Sequence, residues 1–395
     1  MNVFRLIVLL GLIGTSGMSC SGPEPVQGRL TDWKPGEWKE YIYLIESGKW
    51  SNLAASYLGI VRDSFPIDAN GYFALPAERL PVAKEPQIWQ LALQRPGTAY
   101  LNQLDNAYPD SSNYFPLVYQ EGNQIRIQAE SDLFQGSLSI IDPSEANTAM
   151  LALRDLRIRA FKEYLIEKAA AEGLLEEEQA LLHYQEKLFA FAEKTTEVLV
   201  ALTAIRWASV ENYYERVPEQ LFAQAQKWKK RAPEHPWVQE LVSRASPEVL
   251  PLLIGGQLPD QRLPMVSGDT LQTHNLLGAE LTILDLWASW CGPCRKENRQ
   301  VLGPLWEQYA QQGLEIIGYA LEAEQTTWLT AIQADRADRW PQASHLNGDD
   351  SPFFQSLNIQ TIPANFILNK EGVVLAKNLH GSELKEFVHL FFSNN

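Results

Sequence analysis

The stretch Leu281–Cys294, LTILDLWASWCGPC, ends in two of the only three cysteines in a chain of 395 residues. Its first half, Leu281–Leu286, is short and mostly apolar, which favours a buried strand. The residues that follow, Arg295–Gln311, are polar with apolar side chains at helical spacing. Cys291 and Cys294 therefore lie at a predicted strand-to-helix junction. Two cysteines separated by two residues are typical of a redox pair or of half a metal site.

The position of the pair favours redox chemistry over metal binding. No third or fourth ligand stands at the spacing of a structural zinc site. At the predicted start of a helix, free backbone N–H groups and the helix dipole stabilise a thiolate on Cys291. Cys294 comes one turn later, within reach of a disulfide that closes almost no loop and so adds little stability. The pair is therefore predicted to switch between dithiol and disulfide forms.

Two longer strings, LDLWASWCGPCRKE and TIPANFILNKEG, carry a family resemblance. With the predicted elements between them, residues 254–395 resemble the thioredoxin domain of the TlpA/ResA-like thiol-disulfide oxidoreductases. The resemblance implies that Cys291 is the exposed nucleophile and that Cys294 is the buried resolving thiol. It also makes Pro363 the family's cis-proline, which packs against the cysteine pair and leaves the Ile362 backbone free for an extended client strand.

Asp285 lies six residues before Cys291, where thioredoxin has a buried carboxylate that assists deprotonation of the resolving thiol. Burial would raise the pKa of Asp285 and suit it to proton transfer, whereas access to water would leave it an ordinary polar residue. Trp290, Gly292 and Pro293 complete the predicted client-binding surface, with Trp290 as a lid.

The Gly-Pro dipeptide between the cysteines is that of thioredoxin, a reductant at about −270 mV, and it favours the reducing direction. No cofactor is expected beyond the redox-active disulfide Cys291–Cys294. Four histidines have no catalytic spacing to the cysteines and are expected to be background: His274, His345, His380 and His389.

Residues 20–141 contain short strand candidates separated by turn residues, which indicates an antiparallel β-sandwich or an open barrel. Asp68 and Asn70 invite a calcium interpretation, but the ligand series stops there, and Asn70-Gly71 is a hairpin signal. The region resembles the small β-domain that precedes thioredoxin modules in many envelope proteins of the Bacteroidetes.

Residues 142–246 are predicted to form a helical domain that begins at the capping sequence Asp142–Glu145. One of its helices is expected to run over residues 176–210. Prolines from 247 onward mark the entry to the thioredoxin-like domain, 247–395, which holds all of the predicted chemistry. The chain is therefore predicted to be multidomain, with an N-terminal antiparallel β-sandwich, a helical middle segment and a C-terminal α/β thioredoxin fold.

Residues 1–19 have the features of a signal peptide, because Arg5 and the apolar run Leu6–Ile13 are followed by small residues. Cys20 ends the string GMSC, which resembles the lipobox at which bacterial lipoprotein precursors are cleaved and acylated. The alternative is an ordinary secretory signal with Cys20 as an idle thiol. The lipobox interpretation predicts a protein of the cell envelope that faces the periplasm on a lipid anchor.

The net charge of −15 argues against nucleic acid as a partner. The expected partners are disulfide-containing envelope proteins, a membrane thiol that donates electrons, and the membrane itself through Cys20. The predicted function is reduction of protein disulfides. Two alternatives stay open: an envelope ligand-binding protein with an auxiliary thioredoxin domain, and a thiol peroxidase, although the Pro-x-x-x-Thr-x-x-Cys pattern of peroxiredoxins is absent around Cys291.

Overall fold

The computed structural model of the chain describes residues 24–168 and 174–394. The predicted signal peptide 1–19 and the predicted lipidation site Cys20 lie outside the described residues. Across the two described ranges, no helix combines the length and the apolar composition that crossing a membrane requires.

The N-terminal part folds into two four-stranded sheets. Its strands are β1 (Val26–Leu30), β2 (Tyr41–Glu46), β3 (Ile60–Pro66), β4 (Tyr72–Leu75), β5 (Gln87–Ala92), β6 (Tyr114–Tyr119), β7 (Ile125–Ala129) and β8 (Ser139–Ile141), with a short helix α1 (Phe134–Ser137) before β8. One sheet has the order β4-β1-β7-β8 and the other β3-β2-β5-β6. Neighbouring strands are antiparallel except β1 and β7, which pair in parallel. The predicted antiparallel pattern therefore holds for all of these pairs but one.

The turn predicted at Asn70-Gly71 joins β3 to β4, which belong to different sheets. The Asp68 carboxylate accepts the N–H groups of Asn70 and Tyr72 at 2.8 and 2.9 Å. Gly71 has a φ of 80°, and a side chain there would collide with the Leu30 carbonyl oxygen. These contacts support the turn interpretation over a calcium loop.

The middle segment is helical. Its helices are α2 (Glu145–Ala160), which continues as a π-helical stretch to Lys168, α3 (Leu174–Lys194), α4 (Val198–Ala208), α5 (Pro218–Arg231) and α6 (Pro236–Arg244). Ser144 caps α2 by accepting the N–H of Asn147 at 3.3 Å. The prediction of a single helix over 176–210 is wrong, because the chain breaks between α3 and α4. At the break the Thr195 hydroxyl accepts the N–H of Glu197 at 3.2 Å, a local bond that competes with helical bonding.

The N-terminal sheets and the helices share one hydrophobic core. The fully buried indole of Trp207 on α4 donates to the Tyr114 hydroxyl of β6 at 2.9 Å. The buried indole of Trp50, which follows β2, donates to the Leu202 carbonyl of α4 at 3.0 Å. The boundary between residues 141 and 142 therefore separates two segments of chain but not two cores.

The C-terminal domain has its own core around a five-stranded sheet. The strands of the domain are β9 (Arg262–Pro264), β10 (Thr270–Gln272), β11 (Leu281–Trp287), β12 (Leu314–Ala320), β13 (Gln342–Ala343), β14 (Ala364–Asn369) and β15 (Val374–Lys377). Its helices are α7 (Gly292–Glu297), α8 (Gly303–Tyr309), α9 (Gln325–Asp335), α10 (Pro352–Leu357) and α11 (Gly381–Asn394). The sheet order is β13-β12-β11-β14-β15, and β9 and β10 form a separate hairpin. Strand β11 is parallel to β12 and antiparallel to β14. This mixed α/β arrangement confirms the predicted multidomain fold class with a C-terminal thioredoxin fold.

Strand β11 and the helical stretch after it set the position of the cysteine motif. Every residue of β11 is buried, so the strand is fixed in the centre of the sheet and ends immediately before the motif. Helices α7 and α8 are joined by a π turn over Asn298–Leu302. Pro304 follows this turn, and because proline has no N–H to donate, the regular helical bonding is interrupted there.

Candidate active site

The cysteine pair lies at the junction of β11 and α7. Cys291 is the N-cap residue of α7 and forms a disulfide with Cys294, with the two Cα atoms 5.3 Å apart. The Cys294 N–H donates to the Cys291 sulfur at 3.2 Å. Pro293 occupies the first helical turn, where a missing N–H is tolerated, and a side chain at Gly292 would meet no atom within 4 Å. Both the predicted junction and the predicted disulfide are present.

The two cysteines differ only slightly in exposure. Cys294 is 1% exposed and Cys291 is 6% exposed. The prediction of an exposed Cys291 is therefore wrong for the disulfide form, because its sulfur is bonded to Cys294 and turned towards the N-terminus of α7. The neighbouring Trp290 is 66% exposed. Gly292 is also exposed and Pro293 is partly exposed, so solvent reaches the motif mainly through Trp290, Gly292 and Pro293.

Asp285 is buried in the middle of the central sheet. It lies on β11 opposite Gly318 of β12 and Asn365 of β14, and it is 3% exposed. Burial, followed by the charge of Glu297, raises the pKa of Asp285 well above its ordinary value. The alternative of a water-exposed polar residue at this position is therefore excluded.

The residues Gln360–Pro363, here named the Pro363 loop, connect α10 to β14. The Ile362–Pro363 peptide bond is cis, as the resemblance implied, and Pro363 is buried while Ile362 is partly exposed. Ala364, the first residue of β14, directly follows the loop and lies opposite Leu286 of β11. Since β11 leads directly into the cysteine motif, the loop and the motif lie at the same edge of the sheet.

The described part of the chain offers no metal site. Within it, no group of three or more His, Cys, Asp or Glu side chains is arranged to hold a metal ion. Both sulfurs of the motif are engaged in the disulfide.

Known proteins match the same part of the chain. Residues 254–377 match the AhpC/TSA family. The thiol-disulfide oxidoreductase ResA of Bacillus thuringiensis subsp. konkukian is 26% identical over 134 residues, which cover 34% of this chain and 73% of ResA. The thiol:disulfide interchange protein DsbE of Pseudomonas fluorescens biotype C is 26% identical over 128 residues, which cover 32% of this chain and 66% of DsbE. A solved thiol-disulfide oxidoreductase from Bacteroides fragilis is 27% identical, with 34% of this chain and 98% of that chain covered and a TM-score of 0.32.

The family match spans both the cysteine pair and the Pro363 loop. The C-terminal domain, here named the oxidoreductase domain, is similar to thiol-disulfide oxidoreductases. The N-terminal sheets and the helical segment precede the range that the family match covers, so the match describes only the last part of the chain.

Glu297 is a second buried carboxyl group of the oxidoreductase domain. It is the last residue of α7 and lies three residues after Cys294, on the same side of the helix. Its carboxylate accepts the Gly381 N–H at 3.1 Å. Burial raises the pKa of Glu297, and its charge contributes to the raised pKa of Asp285. Glu297 was not predicted, although its spacing from Cys294 on a predicted helix was a usable indication.

His380, one of the four histidines expected to be background, lies next to Glu297 in the oxidoreductase domain. Its Nδ1 atom is 3.9 Å from a Glu297 oxygen, and its side chain is 11% exposed. Burial, followed by the charge of Arg216, lowers the pKa of His380 to about 4. The imidazole is therefore neutral at neutral pH and gives Glu297 no positive partner. No local pattern indicated this contact, because His380 and Glu297 are far apart in sequence.

The backbone just before Trp290 is held by charged side chains. Arg295 bonds both carboxylate oxygens of the buried Asp335 and donates to the Ser289 carbonyl at 3.1 Å. The buried Glu322 carboxylate accepts the Ser289 N–H. Both backbone groups of Ser289 are therefore fixed, which sets the approach of the chain to the motif of the oxidoreductase domain.

Proposed function

We propose that the protein reduces disulfide bonds of cell-envelope proteins through its Cys291–Cys294 dithiol. The observation that carries the proposal is the joining of the two cysteines at the N-terminus of α7, at the same sheet edge as the Pro363 loop. The similarity to ResA and DsbE supports this reaction class. The Gly-Pro dipeptide between the cysteines supports the reducing direction, as in thioredoxin.

The reaction balances as an exchange of electrons between two sulfur pairs. The Cys291 thiolate attacks one sulfur of the client disulfide, and the other client sulfur leaves as a thiolate. The Cys294 thiolate then attacks the Cys291 sulfur of the mixed disulfide, and the remaining client sulfur leaves. Both electrons of the dithiol pass to the client, and the pair becomes the disulfide seen in the structure. A membrane thiol donor then reduces the pair for the next cycle.

The position of each group supports its proposed role. Cys291 is the nucleophile because it is the N-cap residue of α7, where free N–H groups at the helix start stabilise its thiolate. Cys294 is the resolving thiol because it is shielded inside the first turn. Asp285 receives the proton of Cys294, since its raised pKa brings it nearer to the pKa of a thiol.

The client-binding surface is proposed to combine the motif and the Pro363 loop. Trp290 is largely exposed, and the open space at Gly292 leaves the motif accessible beside Pro293. The Ile362 backbone, next to Pro363, is proposed to pair with an extended client strand. The surface needs no cofactor besides the disulfide.

Location in the envelope is a further part of the proposal. The apolar run before Cys20 and the lipobox-like GMSC support cleavage and acylation at Cys20, with the chain facing the periplasm. A lipid anchor would keep the oxidoreductase domain near a membrane thiol donor and near the envelope proteins that it reduces.

A trapping experiment tests the mechanism. Cys294→Ser removes the resolving thiol, so mixed disulfides between clients and Cys291 should accumulate, whereas Cys291→Ser should trap nothing. The wild-type chain should reduce insulin with dithiothreitol as electron source. Non-reducing electrophoresis and mass spectrometry identify the linked cysteine. Clients attached to Cys294, or a wild-type chain that fails to reduce insulin, would contradict the proposal.

A further inference from the structure

A short loop of the helical segment lies on the Pro363 loop of the oxidoreductase domain. This loop, Tyr213–Arg216, connects α4 to α5 and is here named the 213–216 loop. The Glu215 carboxylate accepts the N–H groups of Gln360 and Thr361 at 3.0 and 3.1 Å. The Arg216 guanidinium donates to the Pro363 carbonyl at 3.0 Å. The helical segment therefore bonds three backbone groups of the loop that is proposed to receive clients.

These bonds lie on both sides of Ile362 and leave it free. Within the described residues, the backbone N–H and C=O of Ile362 have no hydrogen-bond partner. The N–H groups of Gln360 and Thr361 and the carbonyl of Pro363 are already taken. An extended client strand can therefore pair with the backbone N–H and C=O of Ile362, whereas the three neighbouring groups bound by Glu215 and Arg216 are not available to it.

The 213–216 loop is itself anchored firmly. Arg216 also pairs with Glu178 of α3 and donates to the Asn378 side chain at 3.0 Å, and its own side chain is 8% exposed. Glu215 is 7% exposed, and its carboxylate also accepts the Tyr213 hydroxyl at 3.1 Å. Buried charged groups with several partners hold a narrow range of geometries, because moving away leaves a charge unpaired. The anchoring therefore limits movement of the Pro363 loop as well.

We infer that the 213–216 loop is a positioning element of the client-binding site, with Glu215 and Arg216 as positioning residues. They hold the Pro363 loop so that Ile362 presents its backbone to an extended protein client. The inference rests on the proposed reduction of protein disulfides. It extends the site beyond the oxidoreductase domain, which the sequence had indicated to contain all of the chemistry.

The contact is not an autoinhibitory one. A segment that blocked the site would occupy the backbone of Ile362, whereas the 213–216 loop reaches past it with side chains and bonds only the residues on either side. Removal of the Glu215 bonds is therefore expected to weaken client binding, while removal of an inhibitory segment would accelerate turnover.

The test compares Glu215→Gln with a matched control in the full-length chain. Glutamine keeps the size of Glu215 but cannot accept both N–H groups with a charged carboxylate. The control is Glu240→Gln, since Glu240 also accepts two consecutive N–H groups, those of Trp50 and Ser51, within the first core. Two substrates are used: insulin, which has polypeptide backbone on both sides of its disulfide-bonded cysteines, and hydroxyethyl disulfide, which has no peptide groups.

Glu215→Gln is expected to raise the KM for insulin about tenfold and to lower kcat/KM for hydroxyethyl disulfide less than about twofold. Glu240→Gln should leave both values unchanged. Arg216→Met should behave like Glu215→Gln, and Arg216→Lys, which retains the charge beside Glu178, should recover part of the insulin KM.

Three outcomes would overturn the inference: an unchanged insulin KM in Glu215→Gln, an equal loss with both substrates, or faster insulin turnover, which would indicate autoinhibition. A wild-type chain that reduces hydroxyethyl disulfide but not insulin would instead overturn the proposed function, and the inference with it. The two failures are therefore distinguished by the wild-type measurement.

Discussion

Two buried carboxyl groups, Asp285 and Glu297, interact within the oxidoreductase domain on either side of the cysteine motif in the sequence. Burial raises the pKa of both groups, because a charged carboxylate is poorly solvated there. The charge of Glu297 adds to the effect of burial on Asp285, because two like charges in one buried region oppose each other. One of the two can then hold or release a proton during thiol exchange at a pH where an exposed carboxyl group is fully ionised.

The substitution Asp285→Asn is expected to stabilise the protein at neutral pH. Because the pKa of Asp285 is raised by folding, the folded state binds more protons than the unfolded chain between the ordinary and the raised pKa, and stability falls as pH rises through that window. Asparagine removes this loss, so Tm at pH 7 should rise by roughly a few degrees and its decline with pH should flatten. Thermal unfolding of the oxidised protein across pH 4–8 measures both effects.

Asp32 offers a control, because folding lowers the pKa of its carboxyl group instead of raising it. Burial raises the pKa of Asp32, but hydrogen bonds from Ser131 and from the backbone of Asp132 and Asp32 together outweigh burial, and the net pKa is lowered. Its stabilising contribution is therefore present above its ordinary pKa and is lost as pH falls, so Asp32→Asn should lower Tm at pH 7. The rates of thiol exchange test the same carboxyl group of Asp285. Asp285→Asn should slow resolution of the mixed disulfide by Cys294 more than it slows formation of the mixed disulfide by Cys291. A lower Tm of Asp285→Asn at pH 7 would contradict the claim that the ionised Asp285 carboxylate destabilises the folded protein.

At the scale of elements, the ion cluster of Asp335 joins the end of α9 to the helical stretch after the cysteines. Arg295 and Arg299 both bond the Asp335 carboxylate, whose side chain is fully buried. Arg295 extends the connection to the Ser289 carbonyl. The cluster therefore links two helices to the loop that precedes the motif.

Asp335→Ala is expected to lower the free energy of unfolding by about 3 kcal/mol, because two arginines lose a buried partner. The matched control is Glu307→Ala, which breaks the ion pair to Arg339 at a side chain that is 64% exposed and should cost less than about 1 kcal/mol. Urea unfolding measures both variants, and insulin reduction shows whether the loop before Trp290 has loosened. An equal loss of unfolding free energy in the two variants would contradict the prediction that the buried Asp335 cluster stabilises the protein more than the exposed ion pair does.

Element types followed from local patterns more reliably than element limits did. The apolar run at Leu281 became β11 as predicted, because a buried central strand needs only its own side chains to be recognised. The helix expected over residues 176–210 is divided into α3 and α4. The Thr195 hydroxyl stabilises the break between them, but the apolar spacing continues across it, so the spacing did not indicate the break. Apolar periodicity records which face is buried, and both α3 and α4 bury a face in the same core.

At the scale of the whole molecule, the described residues 24–168 and 174–394 form two hydrophobic cores. The sheets and the helical segment share the first core, and the oxidoreductase domain has the second. The 213–216 loop then connects the helical part of the first unit to the Pro363 loop of the second. The N-terminal unit is therefore placed to influence client binding without contributing a reacting group.

Attachment to the membrane is a prediction for the whole molecule. Cys20→Ser should leave the protein soluble or uncleaved, because the residue that would carry the lipid is gone. Membrane fractionation and the mass of the mature N-terminus measure this, with Cys291→Ser as a control that keeps Cys20. An unchanged membrane fraction for Cys20→Ser would contradict lipidation at this residue.

The sequence by itself determined the order of the sheets, helices and thioredoxin fold, the redox pair and the proline of the Pro363 loop, because each is encoded by residues close together in the chain. Only the tertiary structure decided that His380 lies beside Glu297, that Cys291 is nearly buried as a disulfide, and that Arg216 holds the Pro363 carbonyl across 147 residues. Burial and long-range contact depend on how separate elements pack, and no periodicity within one element records which distant segment will cover it.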